Sequence, residues 1–294
     1  MKKLVIFGVG LIGGSVALAL KKAGVLDNTA THIVGVGRGL NGLQMAKSLG
    51  VIDSIADNTP ASIQAACAQA DVILIAAPVA QTASILQAIQ PHLQPQTVIT
   101  DAGSTKGDVL AVAKTVLGTQ LKQFIGGHPI AGAEKSGVTA ANADLFNGKN
   151  VVLTPTAETN PDAIKTIATL WQTCGAKVSE MSAENHDGIF SAVSHLPHLL
   201  AFALVNEIAN RPNATQLFSF AASGFRDFTR IAGSHPEMWR DISLANKTAL
   251  LHDLTVFECQ IVQLKQMISQ NDGAALQAYF EQASVARNDW AKTK

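Results

Sequence analysis

The sequence predicts an α/β fold in which an N-terminal, doubly wound sheet is followed by an all-helical C-terminal domain. Over residues 1–182, short apolar runs alternate with helical patterns, which is typical of a parallel sheet covered by helices on both faces. Beyond residue 182 the strand patterns stop and longer helical patterns take over. A chain of 294 residues has room for two such domains. We therefore predict a sheet domain at residues 1–182 and a helical domain at residues 183–294.

The first predicted strand, residues 4–7, leads directly into a glycine-rich turn and then into a helical pattern. The turn is a G-x-G-x-x-G motif made by Gly8, Val9, Gly10, Leu11, Ile12 and Gly13. In this motif the first Gly permits a tight turn, the second lets phosphates approach the backbone, and the third lets helix and strand pack closely. The helix N-terminus then faces an anion. The context predicts a Rossmann-type nicotinamide or flavin dinucleotide site formed by these six residues; the alternative is a structural turn.

Six further strands are predicted, at residues 32–36, 72–76, 98–101, 124–126, 151–154 and 177–181. Gly and Pro residues follow several of them, as in Ala77-Pro78 and Gly127-His128-Pro129. In open α/β sheets the ligand crevice lies at the carboxyl ends of the strands. We therefore expect Ala77 and Pro78 at the cofactor and His128 near the reacting centre.

The C-terminal domain is predicted to contain helices at residues 184–210, 215–222, 236–270 and 273–290. The third would run for about nine turns, with apolar positions mostly three or four residues apart. A helix of that length with one apolar stripe packs against several others or against a second subunit. This pattern predicts a homodimer.

Composition excludes several classes of protein. Lys plus Arg and Asp plus Glu both number 22, so nothing indicates broad electrostatic binding of nucleic acid or of an anionic membrane. The three cysteines are too few and too far apart for a disulfide framework or a metal site, and they suit a reducing compartment. Glycines interrupt the apolar start, which argues against a signal peptide. The apolar stretch 196–205 is too short to span a bilayer, so we predict a cytoplasmic protein.

The second predicted strand is followed by Gly37 and Arg38. An NAD site usually has Asp or Glu at the first of these positions, to accept hydrogen bonds from the ribose hydroxyls. A guanidinium can instead pair with the 2′-phosphate of NADP. We predict that NADP is preferred through Arg38; the alternative is that Arg38 is a solvated loop residue and the site accepts NAD as well.

Residues suited to chemistry fall into three clusters. The first cluster follows a predicted strand and is Asp101-Ala102-Gly103-Ser104-Thr105-Lys106. The second, at the end of the next strand, is Gly126-Gly127-His128-Pro129. The third lies in the helical region and comprises His186-Asp187, Ser194-His195-Leu196-Pro197-His198 and Asp227-Phe228-Thr229-Arg230. Together with the glycine-rich turn, these motifs closely resemble those of the prephenate/arogenate (cyclohexadienyl) dehydrogenase family, in the same order and over nearly the whole chain. The resemblance implies a Rossmann domain, a helical dimerisation domain and oxidation of a cyclohexadienyl precursor of tyrosine.

The resemblance also implies roles for single residues. His128 would contact the ring hydroxyl that is oxidised, a task that suits an imidazole. Ser104 would orient His128 and the nicotinamide, and Arg230 would bind a substrate carboxylate as a buried guanidinium. His198 would contact the substrate, with Ser194, His195 and His186 around it. No metal is expected, because hydride transfer to nicotinamide needs none.

Each assignment has an alternative. His128 could serve only as a turn residue, Ser104 could cap the following helix, and Arg230 could be a surface charge. His195 could be a structural or interface residue, and Trp239 suits packing better than chemistry.

Four alternatives to a prephenate dehydrogenase stay open. Prephenate is our first choice of substrate, although Asp187 could bind the ammonium of arogenate, and a dual-specificity enzyme would use both. A β-hydroxyacid dehydrogenase would need a Lys on the helix at residues 184–210, which contains none. A non-catalytic NADP(H)-sensing module would not need a His and an Arg at the crevice. We expect no separate regulatory domain, so feedback by tyrosine would act at the active site.

Overall fold

The computed structural model describes residues 1–24, 32–133 and 135–293. Within these residues, eight strands form one sheet in the order β3-β2-β1-β4-β5-β6-β7-β8. The strands are β1 (Lys3–Phe7), β2 (His32–Val36), β3 (Ser54–Ala56), β4 (Val72–Ile75), β5 (Val98–Asp101), β6 (Phe124–Pro129), β7 (Asn150–Thr154) and β8 (Lys177–Glu180). All seven predicted strands are present. The three-residue β3 was not predicted, because it is too short to show a periodic pattern.

The described chain also contains α-helices, and helices cover both faces of the sheet. They are α1 (Leu11–Lys22), α2 (Leu40–Ser48), α3 (Pro60–Cys67), α4 (Thr82–Ile89), α5 (Gly107–Leu117), α6 (Pro161–Thr173), α7 (Ala183–Phe190), α8 (Leu196–Ala209), α9 (Ala214–Ser219), α10 (Ser223–Thr229), α11 (Pro236–Ala245), α12 (Lys247–Ser269) and α13 (Gly273–Lys292). Side chains of β1 alternate between two apolar cores, with Leu4 and Ile6 in one and Val5 and Phe7 in the other. Both faces of the sheet are therefore buried, as predicted for a doubly wound domain.

The sheet is mixed, whereas the sequence analysis predicted a parallel one. Strand β7 pairs antiparallel with β6, and β8 pairs parallel with β7. A parallel connection needs a crossover, usually a helix. Between β6 and β7 the described residues contain only a short 3₁₀ turn, Val138–Ala140, so the chain returns antiparallel. The missing helical pattern between residues 129 and 150 was the available signal.

Two predicted helices are interrupted. The helix predicted at 184–210 consists of α7, a π-helical turn at Ser191–His195, and α8. The helix predicted at 236–270 divides into α11 and α12 at Asn246, whose φ and ψ of −102° and 35° are not helical. Asn side chains bond to nearby backbone groups and so weaken helix interiors. Both interruptions lie beside the candidate site.

The described residues form two compact units, Met1–Lys247 and Thr248–Lys294. The first contains the sheet and helices α1–α11, and the second contains α13 with nearly all of α12. In the second unit, the Tyr279 hydroxyl donates a hydrogen bond to Gln260 Oε1 over 3.0 Å. The division at residues 182 and 183 stays a prediction from the change of sequence pattern.

One helical segment, Ala183–Ala209, is long and apolar enough to cross a membrane by length and composition alone, with a mean hydropathy of 1.6. It is longer than the apolar stretch considered in the sequence analysis, because the π-turn continues the helix. Its His186 side chain contacts strand β6, and its Asp187 side chain binds the start of α5. These contacts place the start of the segment within the candidate site.

Candidate active site

The glycine-rich turn has the close packing that its sequence predicts. Gly8 has a φ of +92°, and a Cβ atom there would lie 2.7 Å from the Ala76 carbonyl oxygen. A Cβ atom on Gly13 would lie 2.3 Å from the Gly8 carbonyl oxygen and 2.8 Å from Ile6 Cγ2. Strand β1, strand β4 and helix α1 therefore approach each other at distances that only glycine permits.

A cleft of about 400 Å³ opens above this turn. Of the predicted cofactor residues, those that line it are Gly8, Val9, Gly10, Arg38, Ala77 and Pro78. A Cβ atom on Gly10 would meet nothing within 4 Å, so the backbone there is open to a ligand. Leu11, Ile12 and Gly13 form the first turn of α1, which has neither a side-chain cap nor an acidic residue. Uncapped N–H groups and the positive end of the helix dipole suit a pyrophosphate.

The part of the cleft beyond β2 determines which dinucleotide fits. Gly37 and Arg38 both line it, and Arg38 is exposed to solvent. No carboxylate occurs among the described residues that line the cleft. The site therefore offers a cation, and no acceptor of the usual kind for two ribose hydroxyls. This arrangement fits either dinucleotide and favours a 2′-phosphate.

The centre of the site is a chain of three side chains. His128, in β6, has its Nδ1 atom 2.8 Å from Nε2 of His186 on α7. The other ring nitrogen of His186, Nδ1, lies 2.8 Å from Oδ1 of Asp187. The carboxylate in turn accepts hydrogen bonds of 2.8 Å from the backbone N–H groups of Lys106 and Gly107. Through this chain, His128 is connected to the first turn of α5.

These contacts determine the tautomers of both histidines in their neutral forms. A carboxylate only accepts, so His186 carries its proton on Nδ1 and accepts at Nε2. His128 must then donate from Nδ1, and its Nε2 atom is an unprotonated acceptor. Burial first, and then the electrostatic effects of His186, Lys106 and His195, hold the pKa of His128 well below its ordinary value. Burial also lowers the pKa of His186, against the opposing effect of Asp187. His128 is therefore a neutral base at physiological pH.

Asp187, not Ser104, binds the N-terminus of α5. Lys106 occupies the N-cap position, and its side chain makes no capping hydrogen bond. The alternative that Ser104 caps this helix is wrong, because α5 begins at Gly107, two residues later than a cap at Ser104 would require. The carboxylate of Asp187, from α7, binds the N–H groups at the start of α5 instead. Ser104 lies partly exposed in the loop between β5 and α5. It is outside the residues that line the nucleotide cleft.

His195 is part of the structural framework of the site. Its ring is 1% exposed, and Nδ1 lies 3.1 Å from the Asn246 side-chain nitrogen. The same amide nitrogen donates to the Asp187 carbonyl oxygen over 2.8 Å. Burial lowers the pKa of His195 to about 4, against a hydrogen bond to the backbone of Ser104 that raises it. These contacts favour the alternative that His195 has a structural role, and its contact with substrate stays a prediction.

His198, in contrast, remains partly exposed. Its Nδ1–H donates to the Ser194 carbonyl oxygen over 2.8 Å, so Ser194 contributes through its backbone. The ring stacks on Trp239 with centroids 3.7 Å apart, and burial, with the charge of Arg230, lowers its pKa. Arg230 is near enough for that effect but is exposed, so the expectation of a buried guanidinium is wrong for the single chain. It lies on a 3₁₀ turn, Arg230–Gly233, at the surface.

Sequence reasoning missed three residues that form the site. Trp239 was assigned to packing but forms the surface against which His198 stacks. Phe190 contacts the rings of both His128 and His186, at 4.9 Å and 4.5 Å between centroids. Asn246 was overlooked inside an expected helix. The available signals were the Trp and the Asn inside the helix pattern predicted at residues 236–270.

Comparison with known proteins gives two matches to family models. Residues 16–180 match the model described as the prephenate dehydrogenase nucleotide-binding domain, and residues 182–282 match the model described as the prephenate dehydrogenase dimerization domain. Together these ranges cover most of the 294 residues.

Individual relatives agree with the family models. A prephenate dehydrogenase of Bacillus subtilis is 39% identical over 287 residues, which are 97% of this chain and 75% of that protein. A cyclohexadienyl dehydrogenase of Zymomonas mobilis is 34% identical over 97% of this chain and 95% of its own length. The crystal structure of Aquifex aeolicus prephenate dehydrogenase with hydroxyphenyl propionate and NAD⁺ has a TM-score of 0.90 at 36% identity, with 98% of each chain covered. Synechocystis arogenate dehydrogenase has a TM-score of 0.80 at 28% identity, covering 98% of this chain and 99% of its own.

The buried histidines predict how stability depends on pH. Their folded pKa values are depressed, so the unfolded chain binds protons that the folded chain does not, and stability falls as pH drops below about 6.5. With a folded pKa of about 4, His195 alone should account for about 2 kcal/mol at pH 5. Urea unfolding between pH 7.5 and pH 5 measures this loss of stability. This pH range includes the ordinary pKa of a histidine side chain, about 6.5.

The matched substitutions are His195→Gln and His32→Gln, the latter at an exposed histidine. His195→Gln should make the free energy of unfolding less dependent on pH, and His32→Gln should leave its pH dependence unchanged. Equal curves for both variants and the wild type would contradict the assignment to His195.

Proposed function

Because this chain belongs to the prephenate dehydrogenase family, we propose that it oxidises and decarboxylates prephenate to 4-hydroxyphenylpyruvate with NAD or NADP. The observation that carries the proposal is the hydrogen-bonded chain from Asp187 through His186 to His128. It supplies a neutral imidazole, in one tautomer, at the carboxyl end of a strand beside a dinucleotide cleft. That is what removal of a hydroxyl proton requires.

The nicotinamide of a dinucleotide held at the glycine-rich turn would supply the acceptor for the hydride of the hydroxyl-bearing ring carbon. His128 Nε2 accepts the proton of that hydroxyl as the carbon–oxygen double bond forms. The ring carboxylate then leaves as CO₂, its bonding electrons enter the ring, and the oxygen regains a proton as a phenol. His186 and Asp187 hold the His128 ring in place and stabilise its protonated form, as oriented carboxylate–histidine pairs do.

We assign the substrate's anionic groups to the helical side of the site. Prephenate carries two carboxylates, and Arg230 is a suitable bidentate partner for one of them. His198 lies near Arg230. Its ring stacks on Trp239, and its Nε2 atom is directed away from the Ser194 carbonyl. Ser104, in the loop after β5, is assigned to orient His128 and the nicotinamide.

Arogenate is the second candidate substrate, and a dual-specificity enzyme the third. The similarity to a cyclohexadienyl dehydrogenase and to an arogenate dehydrogenase supports keeping both. Binding of the arogenate ammonium by Asp187 is not supported, because both carboxylate oxygens already accept hydrogen bonds from the protein. Prephenate therefore remains our first choice.

A homodimer is the assembly we propose, as the match to a dimerization domain suggests. The unit Thr248–Lys294 presents many large apolar side chains to solvent: Leu251, Val256, Ile261, Val262, Ile268, Phe280, Val285 and Trp290. Isolated chains rarely expose so much apolar surface without a partner. We propose a cytoplasmic location, in agreement with cysteines that are all free in the described residues.

The direct test is turnover of prephenate and of arogenate, each with NAD and with NADP, followed by nicotinamide absorbance. We expect turnover of prephenate with formation of 4-hydroxyphenylpyruvate and CO₂. Turnover of arogenate alone would favour the second candidate. Tight binding of NADPH with no turnover of either acid would contradict the enzyme proposal and favour a sensing module.

His128→Asn should lower kcat by about 10²–10⁴-fold, because the variant lacks the group that accepts the hydroxyl proton. Binding of the dinucleotide should change little, since His128 lies outside the residues that line its cleft. Steady-state kinetics and dinucleotide titration measure the two quantities. His92→Asn, outside the site, is the control; a His128→Asn enzyme with wild-type kcat would remove this residue from its assigned role.

Arg38→Ala should weaken NADP binding by roughly 10- to 100-fold, the usual effect of losing a charged hydrogen bond. NAD binding should change little, because only NADP carries the 2′-phosphate. Titration of both dinucleotides tests this, with Arg211→Ala as the control at an exposed arginine paired with Glu207. Equal weakening of NAD and NADP would show that Arg38 does not contact the 2′-phosphate.

A further inference from the structure

A buried ion pair lies next to the histidine chain and has no part in the mechanism above. The Lys106 ammonium contacts Asp101 Oδ2, and the two side chains are 0% and 2% exposed. Asp101 is the last residue of β5, and Lys106 is the N-cap residue of α5. Removing two charges from water is costly, and such a pair is often no more stable than apolar residues of similar size. Its position therefore calls for a role other than stability.

Asp101 joins the two segments that carry the assigned catalytic residues. Its Oδ2 atom accepts a hydrogen bond of 2.8 Å from the Gly103 backbone, next to Ser104. Its Oδ1 atom accepts one of 3.1 Å from the Gly127 backbone, next to His128. A single carboxylate thus fixes the spacing between the loop after β5 and strand β6.

Lys106 holds this carboxylate in place and is itself confined. A Cβ atom on Gly126 would lie 3.2 Å from Lys106 Cδ, so the lysine stem is packed against the backbone of β6. The backbone N–H of Lys106 donates to Asp187 Oδ1, at the end of the histidine chain. The same residue therefore contacts both carboxylates, one through its side chain and one through its backbone.

The Lys106 charge also acts on the histidines. The groups that act electrostatically on His128 are His186 from α7, His195 from the π-turn and Lys106, and all lower its pKa. Lys106 also lowers the pKa of His186, more strongly than Asp101 raises it. Asp187 faces His186 and raises its pKa. A cation beside a proton acceptor favours its neutral form.

We propose that Lys106 is a positioning residue for the proposed dehydrogenation: through Asp101 it fixes the Ser104 and His128 segments, and it places a buried positive charge beside the histidine chain. The inference rests on the proposed function for its kinetic consequence only. The protonation state of His128 can be measured without substrate.

The experiment compares Lys106→Met, the neutral pair Asp101→Asn with Lys106→Met, and Lys21→Met as the control. Lys21 forms a partly exposed ion pair with Asp53 elsewhere in the same domain. The neutral pair leaves no unpaired buried charge, so it tests the charge even where Lys106→Met alone fails to fold. After Asp101→Asn, the side-chain amide oxygen can still accept a hydrogen bond from the Gly127 backbone N–H.

Two readouts are used: histidine titration by NMR, with His128 assigned through His128→Gln, and the pH profile of kcat/KM. In the neutral pair we expect the His128 titration and the acidic limb of kcat/KM to move up together by about 1 pH unit, the lower end of the effect of a nearby charge. The Lys21→Met profile should coincide with the wild type.

A neutral pair with a lower thermal midpoint and an unchanged His128 titration would overturn the proposal and leave the ion pair a structural role. A wild-type protein that turns over neither acid would refute the proposed function, while the titration would still decide the role of Lys106.

Discussion

The arrangement of the site depends on the carboxylate of Asp187. It accepts the backbone N–H groups of Lys106 and Gly107 and the Nδ1–H of His186, so three donors from two elements meet at one side chain. Burial alone would raise the pKa of Asp187, but the hydrogen bonds, that of His186 first, bring it below its usual value. The group is therefore an anion at the N-terminus of α5, where the helix dipole favours negative charge. Its removal would leave α5 without a cap and His186 without its acceptor.

Because Asp187 can only accept, it decides the direction of every proton in the chain behind it. His186 and His128 each donate toward the carboxylate, and the acceptor lone pair is left at His128 Nε2. A flexible surface histidine would sample both tautomers and reach the same state for only part of the time. The orientation of His128 in β6 is fixed by His186, which belongs to helix α7 and not to a loop of the sheet. Rigid supporting contacts of this kind are what precise catalytic geometry requires.

The sequence predicted the parts of this arrangement that depend on local patterns. The turn at Gly8 and Gly13 is recognisable because adjacent residues determine it, and His128 is recognisable because it ends a strand. The cap of α5 by Asp187 joins residues about eighty positions apart, and no periodicity in either segment reveals it. The break at Asn246 was hidden by the apolar pattern on both sides, since hydrophobic period describes a face and not the continuity of the backbone. The π-turn is invisible for the same reason.

The charges of the site are arranged so that the neutral base gains proton affinity when it is needed. In the free protein, burial and the charge of Lys106 keep His128 and His186 neutral. Prephenate is a dianion, and a negative charge brought beside these rings favours their protonated forms. Water leaving the site as the substrate binds strengthens this interaction. In our proposal, His128 is therefore unprotonated before the substrate binds, and its imidazolium form is stabilised when it accepts the hydroxyl proton. Arg230 and His198, to which we assign the substrate's anionic groups, belong to the helical side of the site and are distant from His128 in sequence. In this proposal, binding of the anionic substrate raises the proton affinity of the base through electrostatics.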